Sequence, residues 1–308
     1  MTTATGAVSV YPAYPIKRRR RTNAELGVIY DAMHRLVEAN QPMTLRGLFY
    51  LLVTEGAIDK TEQEYANVGN YLLKLRRNGT IPYSWIADHT RWMRKPRVFD
   101  SGEAALQAAA ATYRQSLWRD QDAYVEIWIE KDTLAGVLVD VTSEYDVPLM
   151  VARGFSSETF LYESARNIEA QRKPIHIYLL TDHDPSGLAS AEHTGRRLKA
   201  FLASHPHPVE ARRVAVTKRQ IADMNLPTRP TKTTDSRSRT FAGESVELDA
   251  IPAPRLRAIV RWCIERHINQ GVLERTRDTE RHERATLEAI VAAWGAIAKD
   301  GTKDEENG

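Results

Sequence analysis

A chain of 308 residues exceeds the usual size of one compact domain, and 42% apolar with 27% charged residues is the make-up of a globular protein with a sizeable core. The single cysteine, Cys263, excludes an intramolecular disulfide and points to a reducing, cytoplasmic setting; no apolar run nears the ~20 residues that cross a bilayer, and the start lacks a signal-peptide pattern. The formal net charge of +3 is modest but unevenly spread, with Lys17 and Arg18 to Arg21 clustered near the start and "KDEENG" closing the chain.

Residues 1–22 read as a disordered basic arm suited to phosphate. Residues 23–95 read as three helices and a strand. The first helix spans 23–40 with Asn23 as its cap, the second starts near Thr44 in "MTLRGLFYLLVTEGAI", and the third, "KTEQEYANVGNYLLKLRRNGT", stops at its Asn-Gly. A short strand is expected at "IPYSWIAD". That order matches a winged helix-turn-helix whose third helix brings Lys74, Arg76 and Arg77 to DNA, the bland alternative being a helical bundle with a solvated basic face. On the second helix, at ~100° per residue, Leu45, Leu48, Phe49 and Leu52 share a core face. Tyr50 then points away, Arg46 lies one turn before it on its side, and Gly47 leaves that surface open.

Residues 96–122 read as a connecting helical segment, alanine-rich from Asp100 to Asp120. In 123–253 the alternating strand "VEIWI" is followed by the helix opening "DTLAGVL", the strand "VPLMVA", the helix "SSETFLYESARNIEA", the strand "PIHIYLL" and the helix "SGLASAEHTGRRLKAFLA". Strands alternating with helices predict an α/β fold with a mainly parallel sheet covered on both faces. The long polar loop "LPTRPTKTTDSRSRTF" interrupts that order; its Lys232, Asp235, Arg237 and Arg239 either contact a phosphate backbone or are solvated loop charges. Residues 254–299 are helical by spacing, and 300–308 form an acidic tail.

Glu130 ends one predicted strand, and "TDHDPSG", residues 181–187, follows another. In an open parallel sheet both lie at the carboxyl edge, where ligands bind. Glu130, Asp182 and Asp184 there offer hard oxygen ligands suited to Mg²⁺, with Mn²⁺ as a substitute, and magnesium points to a phosphodiester or nucleotide substrate. The alternatives are that Asp132 or Asp184 caps the following helix and that Glu130 pairs with Lys131 at the surface.

"IEKD" after one strand and "LLTDHDPSG" after a later one resemble the Toprim fold of topoisomerases, bacterial primases and related nucleases, with its one Glu and Asp-x-Asp pair. The "DHDPSG" form resembles more particularly the topoisomerase VI A subunit and the related meiotic double-strand-break protein, in which a winged-helix domain carrying the nucleophilic tyrosine precedes Toprim. The resemblance spans roughly residues 25–250 and maps the family's tyrosine and arginine onto Tyr50 and Arg46 of "RGLFY". It implies a magnesium-dependent DNA strand transesterase, of the isomerase class, that binds double-stranded DNA, works as a homodimer and leaves a 5′-phosphotyrosyl link. It also implies a separate ATPase subunit for strand passage, since no "GxxxxGK[ST]" loop occurs in this chain. "GESVELDA", with Glu247 and Asp249, resembles a segment late in the family's Toprim domain, but those acids are not assigned to the metal. The short amino-terminal region and the basic loop suggest a free-standing bacterial or phage relative, cytoplasmic and nucleoid-associated. Two other readings stand beside it: a Toprim nuclease that hydrolyses DNA without Tyr50, and a DNA-binding protein without catalysis.

Overall fold

The computed structural model describes residues 21–87, 98–152, 154, 156–230, 241 and 243–305, with side chains as far as residue 294. The basic arm through Arg20 and the loop residues Lys232, Asp235, Arg237 and Arg239 lie outside the described residues.

Thr22, rather than Asn23, starts the first helix. Its hydroxyl accepts from the Glu25 N–H (3.2 Å) and its own N–H donates to the Glu25 carboxylate (2.8 Å), a reciprocal cap from which α1 runs over Asn23–Asn40. Thr44 caps α2 (Leu45–Thr54) by accepting from the Gly47 N–H, and Thr61 caps α3 (Glu62–Arg77). In α3, Glu62 and Glu64 occupy the first turn and Lys74, Arg76 and Arg77 the last, so these basic residues already have a local role against the helix dipole.

The strand expected at "IPYSWIAD" does not form. Tyr83–Trp85 is a 3-10 turn, and only Ile86 bridges, in parallel, to Met43. Pro82 has no N–H to give a ladder, and its carbonyl instead accepts from the Trp85 N–H (3.2 Å), closing the chain locally. Among the described residues the three helices therefore lack the strand of a wing.

After α4 (Gly102–Thr112), shorter than expected, the chain alternates β1 (Tyr124–Ile129), α5 (Ala135–Glu144), β2 (Leu149–Val151), α6 (Glu158–Glu169), β3 (Ile175–Leu180), α7 (Pro185–Phe201) and β4 (Val209–Ala215). All four strands are parallel, in the order β2-β1-β3-β4. Strand β4 was not anticipated, because "VEARRVA" lies at the sheet edge and carries charges where a central strand carries apolar side chains. Helices α8 (Lys218–Asp223), α9 (Ala253–Glu265) and α10 (Gln270–Glu305) complete the chain. No helix among the described residues is long and apolar enough to cross a membrane.

The sheet is covered on both faces. Trp128, Ile175, Ile177 and Leu179 pack against Leu161 and Ile168 of α6 and Leu198 of α7. Val125, Ile127, Ile129 and Leu180 belong to a larger core that includes Leu138 of α5, Val260 and Cys263 of α9 and, continuously, Leu48 and Phe49 of α2. Burial pushes the Cys263 thiol up to about 12, which suits a packing role. Ile129 pairs with Leu180, so the residues that follow β1 and β3 emerge side by side. Since β2 and β3 flank β1 on opposite sides, this point is where the winding changes sides, the crevice in which open parallel sheets bind ligands.

Candidate functional site

The segment "TDHDPSG" occupies that crevice. The Thr181 N–H continues the ladder to the Ala215 carbonyl (2.9 Å), and the N–H and C=O of His183 both pair with Val246. In this extended stretch neighbouring side chains diverge: His183 is buried beside Phe241, while Asp182 and Asp184 turn to Lys131 and Arg229. Asp184 caps α7 by accepting from the Gly187 N–H (2.8 Å), and Pro185 takes the first helical position, where its missing N–H costs nothing. A Cβ on Gly187 would lie 2.5 Å from the Asp182 carbonyl oxygen, so only glycine lets the helix start this close to the strand end. The capping alternative thus holds for Asp184, together with its place in the acidic edge.

Lys131 is the centre of that edge. Its ammonium lies 3.1 Å from Asp182 Oδ1, 3.1 Å from Glu247 Oε2 and 2.9 Å from Asp249 Oδ2. Burial alone would lower its pKa, but Asp249, Asp182 and Glu247 overcome this and hold the ammonium charged well above its ordinary range. Arg46 donates to Glu247 Oε2 at 2.6 Å, and Thr44 donates to Asp249 Oδ1 at 2.9 Å, which ties the start of α2 to the sheet edge. Arg229 reaches Glu247 at 3.3 Å and Asp184 at 3.5 Å. Burial opposes ionisation of Glu247, yet Lys131 and Arg46 hold its carboxyl at about 2. Asp182 stays above the usual carboxylate range, because burial outweighs the pull of Lys131 and of the Leu248 N–H.

Tyr50 does not point away from the core. It is 4% exposed, with Lys60 Nζ 5.2 Å from its ring centroid and the Phe49 ring beside it. Helix α2 packs against α1 and α3 and also against the short turn Leu248–Ala250, so its buried face is wider than a single apolar stripe implies. Burial, then the charge of Glu247, raises the Tyr50 pKa above its ordinary value, against the opposing pull of Arg46, Lys131 and Arg229. Tyr50 and Arg46 therefore sit in the electrostatic field of the acidic edge of their own chain.

Glu130 differs from the other acids. Its Oε2 is buried without a hydrogen-bond partner, and burial followed by the charges of Asp182 and Asp184 pushes its pKa up. Among the described residues no group of three or more His, Cys, Asp or Glu side chains is arranged to hold a metal ion. A cage made entirely of protein is not what magnesium requires: it commonly keeps waters and takes one or two carboxylates plus substrate phosphates. The orphaned Glu130 oxygen and the hard-oxygen chemistry of Asp182 and Asp184 fit that kind of ion.

A cavity of about 860 Å³ opens between α2, α3 and this edge, lined by Arg46, Tyr65, Arg76, Lys131, Asp182 and Glu247 among others. Arg76 thus joins Arg46, Asp182 and the Lys131 cluster at one site, with its guanidinium over the Tyr83 ring at 4.2 Å. Lys74 instead lies over the Tyr30 ring, and Arg77 is exposed at the end of α3. Sequence patterns do not single out Arg229 or Lys60, which lie far from the acidic motifs. Lys131, expected as a surface partner of Glu130, instead pairs with Asp182, Glu247 and Asp249. Glu247 and Asp249 were noticed, and they bind cations of the chain itself. No protein-family model matches the sequence, and no curated protein does so either.

Proposed function

We propose that the protein cuts DNA strands by transesterification through Tyr50, in the manner of the topoisomerase VI A subunit that its "DHDPSG" segment resembles. The observation that supports this most is that Arg46 and Tyr50 share one helix, and that this helix abuts the edge carrying Glu130, Asp182 and Asp184. In the reaction the Tyr50 phenolic oxygen bonds to phosphorus as the bond from phosphorus to the 3′-oxygen breaks. The phenolic proton ends on the departing 3′-hydroxyl and the 5′-phosphate stays on the tyrosine, so phosphoester bonds are conserved and reversal reseals the strand. Arg46 and Arg76, both at the cavity, neutralise the phosphate. Glu130, with Asp182 and Asp184, would hold a magnesium or manganese ion, which when bound would supply further charge neutralisation at the phosphate.

Burial and Glu247 disfavour the phenolate, so the reaction we propose takes a rearrangement that exposes Tyr50 to DNA. Loosening the Arg46–Glu247 and Thr44–Asp249 contacts frees α2 to meet a DNA phosphate. The same reading takes a homodimer and a separate ATPase subunit for strand passage, and sedimentation of the purified chain tests the first of these.

A second reading, metal-dependent hydrolysis without Tyr50, is favoured by the 4% exposure of that residue. Supercoiled DNA incubated with Mg²⁺ or Mn²⁺ and quenched in denaturing detergent separates the two. Transesterification yields protein joined to 5′ ends in the wild type and none in Tyr50→Phe or Glu130→Gln. Cleavage without an adduct, unchanged in Tyr50→Phe, establishes hydrolysis instead.

A further inference from the structure

A second charged surface lies away from the acidic edge, where the edge strand β4 meets α9. Arg255, Ile259, Trp262 and Arg266 recur at helical spacing down one side of α9. Trp262 is 55% exposed, an unusual position for so large an apolar ring, and the Arg266 guanidinium lies over it at 4.6 Å from the centroid. Trp262 and Arg255 line a cavity of about 680 Å³ with Arg212 and Arg213 of β4 and Arg219 and Asp223 of α8. Arg212 also borders a smaller adjoining cavity of about 260 Å³ with Arg266, His176 and His267.

The charges of this surface are not balanced internally. Arg219 pairs with Asp223 at 3.2 Å, and Arg213 is turned to the Val216 carbonyl, but Arg212, Arg255 and Arg266 have no carboxylate partner among the described residues. Glu210, on the same rim, pairs with His176 at 3.4 Å. The rings of His176 and His267 stack at 3.9 Å, and burial, His176 and Arg266 hold His267 down to about 4, as expected beside surplus positive charge. Unpaired guanidinium groups around an exposed indole match a ligand that alternates phosphates with flat rings. A duplex offers only its phosphates to such a surface, because its bases are stacked on one another. An acidic peptide would satisfy the arginines and make no use of the exposed indole.

We propose that this groove binds a single strand of nucleic acid, with a base stacked on Trp262 and phosphates on Arg212, Arg255 and Arg266. The inference goes beyond the cleavage reading and uses none of its residues. Anisotropy of a labelled oligothymidine, and of a duplex of equal length, with magnesium chelated, tests it on the full chain. The single strand binds the wild type, and Trp262→Ala weakens it about tenfold while leaving duplex binding unchanged. Arg212→Ala with Arg255→Ala lowers the salt slope of strand binding by about 1.4, two phosphates' worth. Trp262→Phe keeps a stacking face and retains most of the affinity, which separates stacking from loss of fold. Strand affinity unchanged in Trp262→Ala, or an absent response in the double arginine variant, overturns the proposal. Tyr50→Phe keeps the strand affinity of the wild type. Failure to form a DNA adduct alongside intact groove binding therefore counts against the cleavage reading alone, and the converse counts against the groove alone.

Discussion

Lys131 and Arg212 are both cations beside the same parallel sheet, yet their surroundings are opposite. Lys131 is partly buried and touches Asp182, Glu247 and Asp249, while Arg212 is exposed and has no carboxylate partner among the described residues. At the carboxyl edge, charge is spent inside the chain: it fixes the turn after β3 and docks α2 through Arg46 and Thr44. At the β4–α9 edge, charge remains for something outside the chain. Internal partners therefore separate Lys131, which organises the fold, from Arg212, which the groove proposal assigns to a ligand.

Lys131→Met has the largest expected effect, because it leaves Asp182, Glu247 and Asp249 without their shared cation. It costs about 3–5 kcal/mol of stability, read as a lower midpoint in urea unfolding. Gly187→Ala comes next, at about 1–3 kcal/mol, since the added methyl cannot coexist with the Asp182 carbonyl unless the strand end moves. The same melts, run with Asp184→Ala, isolate the helix cap at about 1 kcal/mol.

Glu247 gives the edge a pH signature. Its carboxyl is held at about 2 against an ordinary 4.5, so its contribution is complete above pH 4.5 and disappears as pH falls toward 2. The stability gap between wild type and Glu247→Gln, followed by urea unfolding across that window, narrows on acidification; a constant gap contradicts the ion-pair account. The smallest effect sharpens the contrast. Arg212→Ala and Arg255→Ala each change stability by no more than about 0.5 kcal/mol, because neither arginine has an internal partner to abandon.

Much of this was legible in the residues. The helix of 23–40, the stop at Asn-Gly, and the strands at "VEIWI" and "PIHIYLL" follow from periodicity and turn chemistry, and the strand ends placed Glu130 beside Asp182. What escaped has local causes. β4 is an edge strand of mixed polarity, and "IPYSWIAD" is strand-like in composition but turned by Pro82. Tyr50 is buried with Lys60 over its ring, on a helix that also meets the turn 248–250, and a single helical wheel contains neither neighbour. The pairing of Lys131 with Glu247 and Asp249 joins positions more than a hundred residues apart, beyond the reach of any spacing rule.

The proposed reaction is tested most directly by mapping the bond itself. DNA-treated protein is quenched in detergent, digested with nuclease and trypsin, and sequenced by tandem mass spectrometry. The expected product is a Tyr50 peptide carrying a nucleotide attached through phosphate. DNA cleavage with an unmodified Tyr50 peptide, or with the nucleotide on another residue, contradicts it.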